Sequence, residues 1–128
     1  MVSLIDTNII IRFLIGDHEQ HLQESIKIFQ AIEIGDLQVE ILDVVLMEAL
    51  FVLTKFYKLP KSEVVADLKN ILAMEGVINT DKLILFETLS LFTDKNIDFV
   101  DALICSKTKL QGYNALSFDR DVNKNVNP

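Results

Sequence analysis

Short apolar segments alternate with longer stretches of helical spacing along this chain, and few folds accommodate that rhythm. Residues 2–5, Val39–Leu42, Val77-Ile78 and Asn114–Leu116 read as short strands. After the first, Ile9, Ile10, Phe13 and Leu14 repeat at helical spacing, in a helix opened by Asp6 or Thr7 and ended at Gly16-Asp17. A second helix over residues 18–34 places Leu22, Ile26, Phe29 and Ile32–Ile34 on its inner face and stops at Gly35. Asp43 stands at an N-cap position before a very apolar helix, Val44–Phe56. Pro60 restarts the chain, Ser62 caps a helix to about Met74, and Thr80 caps another to about Asp94. Asp98 caps a helix over residues 99–110 that Gly112 ends, and a last helical turn follows Asp119. Parallel strands need crossovers, so this alternation implies a parallel sheet covered by helices. The expectation is one α/β domain over residues 1–128, three-layered as α/β/α around a short-stranded, mostly parallel central sheet.

Within those apolar runs stand four acids. Asp6 follows Leu4-Ile5, Glu48 lies in Leu46-Met47-Glu48-Ala49-Leu50, Asp101 in Phe99-Val100-Asp101-Ala102-Leu103-Ile104, and Asp119 ends Leu116-Ser117-Phe118-Asp119. Burying an ionised carboxylate is costly unless it is paired or bound to a metal. Each acid alone has a plain explanation: Asp6 as a helix cap, Asp101 as part of a capping arrangement begun by Asp98, Asp119 as a turn residue. Glu48 resists that treatment, because no Lys or Arg lies three or four residues from it. Together the four point to a shared pocket for a divalent cation. Ligands of open α/β sheets bind beyond the carboxyl ends of the strands, which is where Asp6 and Asp119 are expected. Mg²⁺ and Mn²⁺ prefer carboxylate and water oxygens over nitrogen or sulfur. Two such ions ~4 Å apart activate water and stabilise the leaving oxygen of a phosphodiester.

Composition narrows the classes. The 128 residues are 50% hydrophobic, enough for a real core. Mean hydropathy is +0.32, high for a short soluble chain, so part of the apolar surplus is assigned to a self-association surface and a homodimer is expected. No apolar run approaches the ~18–20 residues of a membrane span. The opening Met-Val-Ser-Leu-Ile-Asp has no basic leader. The single cysteine, Cys105, excludes an internal disulfide, reads as a small buried apolar residue, and is compatible with a reducing cytoplasm. The net charge of −7 is unhelpful for binding nucleic acid, though cations in the acidic pocket would cancel part of it. Lys55, Lys58 and Lys61, and then Lys107 and Lys109, cluster as solvated helix ends. His18 and His21 are spaced for zinc but have no Cys or third His beside them, so an exposed helix face is expected.

Four stretches resemble the motifs of the PIN-domain nucleases, and most closely the VapC-type toxins of toxin–antitoxin pairs. Leu4-Ile5-Asp6-Thr7-Asn8 resembles the first strand and its D-T-N motif, and Val44–Leu50 the helix with the second acidic motif. Ile97–Ile104 resembles the D-x-x-D-A-x-I motif, and Leu116–Asp121 the T-F-D-R motif. The likeness spans residues 2 to about 121. It implies a metal-dependent endoribonuclease that uses Mg²⁺ or Mn²⁺ to activate water against an RNA phosphodiester. Asp6 and Asp101 would be direct metal ligands, and Glu48 and Asp119 would ligate directly or through water. Asn8, Ser117 and Thr7 would orient the carboxylates, as ligand geometry requires. Asp98 is a further candidate ligand, although a capping role also explains it. The resemblance further implies a cytoplasmic protein, a homodimer, and a cognate antitoxin that blocks the pocket, its amphipathic helix suiting an apolar groove.

The chain departs from the pattern twice. Its end, Val122–Pro128, is short and polar where the family commonly continues into a last edge strand, so that strand is expected to be missing or vestigial, and Asp43 stands where the family more often has Ser or Thr. A phospho-receiver domain would need an acidic pair after the first strand and a lysine after a late one; a haloacid-type phosphatase would need Asp where Asn8 stands. The alternative of a different class is a catalytically silent PIN-like module kept for protein interaction.

Overall fold

A computed structural model describes residues 1–126, in two compact units, Met1–Thr80 and a second beginning at Asp81. In the first unit, strand β1 (Ser3–Leu4) runs parallel to β2 (Val39–Glu40), with Ser3 opposite Val39 and Leu4 opposite Glu40. The expected Val77-Ile78 strand shrinks to a single parallel bridge between Val77 and Val39. The amide of Asn79 continues that ladder. It accepts from the Ile41 N–H at 2.8 Å and donates to the Ile41 carbonyl at 2.7 Å, so a side chain replaces the next backbone pair.

Helix α1 (Thr7–Ile15) follows Asp6, and Gly16 in the left-handed conformation ends it. Helix α2 (Glu19–Glu33) is capped by His18, whose Nδ1 accepts the His21 N–H at 3.2 Å. Both histidines are exposed, in keeping with the surface role expected of them. Phe13 and Phe29 stack at 4.3 Å and join these two helices.

The apolar stretch expected as one helix over Val44–Phe56 divides. Helix α3 spans Asp43–Phe51, and Val52–Phe56 forms a π-helical turn. Leu42 occupies the N-cap position and Asp43 is the first helical residue, which corrects the capping role expected for Asp43. Leu46, Ala49, Leu50 and Leu53 are buried, each large one worth roughly 1.5–3 kcal/mol. Helix α4 (Lys61–Leu72) then buries Val64, Val65, Leu68, Ile71 and Leu72. Gly76 is held by necessity rather than by turn geometry: a Cβ there would collide with the carbonyl oxygens of Leu37 and Ile32.

The second unit contains α5 (Lys82–Asp94), α6 (Phe99–Gln111) and α7 (Arg120–Val126). Ile97, Ala102, Cys105 and Val122 form its core cluster, with Leu91 and Phe92 against it. The Thr88 hydroxyl reaches the Ser106 hydroxyl at 3.1 Å, and each also bonds a carbonyl of its own helix, so this buried polar pair is satisfied.

The strand expected at Asn114–Leu116 does not form. Leu116 is 99% exposed, and two apolar residues in a polar segment supply no buried face to hold a strand. The polar end, expected to lack its edge strand, is helical through Val126, with Val122 facing the core; Asn127-Pro128 lie outside the described residues. The α/β class and the parallel pairing are as expected, in a chain that is mostly helical. No described helix is long and apolar enough to cross a membrane.

Candidate functional site

The fold places the sequence's candidate residues in two groups, one in each unit. In the second unit, Asp101 lies in the first turn of α6, and Asp119 immediately precedes α7. Carboxylate oxygens of Asp101, Asp119 and Asp121 all lie within 4.8 Å of one another. Among the described residues this is the one place where three such ligand-type groups meet. Asp121 is the member that sequence reasoning missed. Its signal was present: in Asp119-Arg120-Asp121, the first acid sits at the cap position and the second in the first turn, which brings both to one helix end.

Local bonds fix this geometry. The Ser117 hydroxyl accepts the Asp119 N–H at 2.8 Å, and Asp119 Oδ1 accepts the Asp121 N–H at 2.8 Å. Ser117 therefore orients the acid through its backbone, not by bonding its carboxylate. The Asn123 amide bonds the Ser117 carbonyl at 3.0 Å and ties the loop to α7. Asp98 occupies the N-cap position of α6, but its side chain makes no capping bond.

Electrostatics confirm the crowding. The pKa of Asp101 is raised, first by burial, then by the charge of Asp119 and a carboxyl–carboxyl hydrogen bond with it, then by Asp98 and Asp121. Three acids thus act on one carboxyl group. The donors are hard oxygens only, so the set fits a Mg²⁺ or Mn²⁺ ion, whose charge would relieve the repulsion. Cys105, one turn further along α6, has its thiol pushed up by burial and then by the same acids; its Sγ donates weakly to the Val122 carbonyl at 3.8 Å. That makes it an inert core thiol, as expected.

In the first unit, Asp6 occupies the N-cap position of α1 without a side-chain capping bond. The capping explanation therefore leaves its carboxylate unused. Glu48 lies on α3 and lines a cavity with Thr7 and Asn8 of α1. Three expected residues thus share one wall.

The premise that these acids are buried is corrected. Asp6, Glu48, Asp98 and Asp119 are exposed, and only Asp101 is half-buried. The reason is the face each occupies. Glu48 shares the outer side of α3 with Val44 and Phe51, four residues before it and three after, while Leu46, Ala49 and Leu50 face the core.

Comparison with known proteins adds one finding. No curated protein and no solved structure matches the chain. The PIN domain family model matches residues 3–126, across both units and every motif described above. The match spans nearly the whole chain, so this chain belongs to the PIN-domain family, whose members are generally nucleases.

Proposed function

We propose that the protein is a divalent-metal-dependent endoribonuclease, the toxin of a VapC-type toxin–antitoxin pair. The observation that carries this reading is the meeting of Asp101, Asp119 and Asp121; burial and then these neighbours raise the pKa of Asp101. In this reading residues 1–128 act as one domain, which the family match across both units supports. Asp6 and Glu48 are the acids that the first unit would contribute to the reaction.

Asp101 and Asp119 would hold the cation, with Asp121 beside them and Asp98 as a further candidate ligand at the start of α6. Bound there, Mg²⁺ or Mn²⁺ supplies Lewis-acid chemistry, lowering the pKa of water and neutralising charge on the phosphodiester. Ser117 keeps Asp119 in place through its backbone N–H. Asn8 and Thr7 line the cavity beside Glu48 and would fix its carboxylate. The substrate is RNA, and the products expected of the family carry a 5′-phosphate and a 3′-hydroxyl.

The toxin role, the homodimer, the antitoxin and the cytoplasmic location belong to the same proposal. Exposed Leu83, Val100 and Ile104 offer apolar area for self-association or for a partner helix. A neighbouring reading frame encoding a small DNA-binding protein that suppresses the activity on co-expression would support the toxin role.

The test is Mn²⁺ titration and RNA cleavage with wild type and Asp101→Asn. Saturable binding and cleavage in wild type, both lost in the variant, support the enzyme. Equal cleavage by both sinks the mechanism, and weak, unchanged binding without cleavage in either makes the chain a silent interaction module.

A further inference from the structure

We propose that the cavity between α1 and α3 is a stacking pocket for one unpaired base of a single-stranded RNA, held beside Glu48; the inference rests on the nuclease reading and names the form of its substrate.

The argument begins with the π-helical turn. Phe51 and Phe56 are five residues apart, which in a regular α-helix separates two side chains by about 140° around the axis. They would then face different sides. The turn over Val52–Phe56 carries the bond from the Tyr57 N–H to the Val52 carbonyl, at 3.1 Å and five residues apart. That wider turn brings Phe51, Phe56 and Tyr57 to the lining of one cavity of about 360 Å³. Insertions of this kind cost helical regularity and recur at functional sites. Phe51 is 64% and Phe56 74% exposed, so the core does not use them.

The aromatic groups are held in place. Phe56 and Tyr57 meet edge to face at 5.0 Å and 81°, making a fixed corner. The Tyr57 hydroxyl donates to Asp17 at 3.2 Å, and Arg12 pairs with the other oxygen of Asp17 at 3.1 Å. Burial, and then its bond to Asp17, raise the pKa of the phenol, so it stays a neutral donor.

The polar lining chooses the occupant. Aromatic rings are also common at protein interfaces, so the choice rests on the directional polar groups beside them. This cavity adds Asn8, whose amide both donates and accepts, and Arg12, one of two arginines in an acidic chain. Arginine combines a planar fork of donors with a face that stacks, which suits a base and its phosphate. Stacking on aromatic rings tolerates any base, and bases are free to stack only where the strand is unpaired.

The test uses the full chain in EDTA with a single-stranded oligoribonucleotide carrying 2-aminopurine, whose fluorescence falls on stacking. Wild type is expected to bind and quench. Phe56→Ala should bind about 5- to 150-fold more weakly, and without quenching. Phe56→Leu, which keeps apolar area but has no ring, should fail in the same way, and Phe56→Trp should restore both signals. Because Phe56 is exposed, all three variants should melt like wild type. Unchanged affinity and quenching in Phe56→Ala, while RNA cleavage still depends on Asp101, would overturn the pocket and leave the nuclease standing. A switch from dimer to monomer in Phe56→Ala with RNA binding intact would reassign this face to a protein interface. A wild type that neither binds nor cuts RNA would remove both readings together.

Discussion

Asp101 and Glu48 are both carboxylates on helices in apolar stretches, yet their surroundings differ in kind. Asp101 has Asp119 and Asp121 within 4.8 Å, is half-buried, and has its pKa raised first by that burial and then by the neighbouring acids. Glu48 is exposed on α3 and shares a cavity with an amide, a guanidinium and three aromatic rings. The first site concentrates like charge, and a cation is the natural relief. The second offers shape, flat apolar surface and a few directional polar groups, which suits recognition. A nuclease needs both, and here the two kinds of surface are built on different helices.

The contrast can be broken by substitution. Asp101→Asn is expected to have the largest effect. Losing an outer partner of a metal ligand commonly costs 10- to 100-fold, so losing a ligand should reduce RNA cleavage by more than about 100-fold. Single-turnover cleavage in Mn²⁺ measures it. Glu48→Gln should reduce cleavage by about 10- to 100-fold, by the same reasoning, while leaving more of the Mn²⁺ affinity intact. If calorimetry finds both variants equally unable to bind Mn²⁺, the division of labour drawn here is wrong.

A structural control separates activity from folding. Gly76→Ala should lower the melting temperature, because its Cβ meets backbone rather than a side chain that can swing away, and overpacking of this kind costs about 1–3 kcal/mol. A thermal melt at neutral pH is sufficient, and an unchanged midpoint would show that the β2 region can shift.

The smallest expected effect is on the pH dependence of stability without metal. Asp101 binds its proton more tightly folded than unfolded. Its contribution is therefore fully present below the unfolded pKa and is lost as pH rises through the raised folded value. Wild type minus Asp101→Asn should show a stability difference that falls with rising pH, measured by denaturant melts in EDTA. Mn²⁺ should reverse that trend, since the cation favours the ionised form. A flat difference in EDTA would mean the acids do not crowd as described.

Much of the helical framework was legible in advance. Gly16 and Gly112 end helices where expected, and α2, α5 and α6 fall close to their anticipated spans, because caps and helical periodicity are local properties. The strands were less legible. A two-residue strand such as β1 carries almost no pattern of its own, and Asn114–Leu116 had enough apolar character to be read as one without the buried face that would hold it. The division of Val44–Phe56 was invisible for a related reason: a run apolar on every side gives no phase, so it cannot reveal where the helix changes pitch.

By itself the sequence determined which residues are acids, that they interrupt apolar runs, and that the chain carries the PIN motifs in order. Those are matters of identity and spacing. Tertiary structure decided which acids gather, adding Asp121 to Asp101 and Asp119, and which faces of α3 and its π-helical turn meet water. Distances between carboxylates depend on how separate segments pack, and the exposure of Glu48, Phe51 and Phe56 depends on what the opposite side of the helix buries. Neither quantity is a property of any single segment.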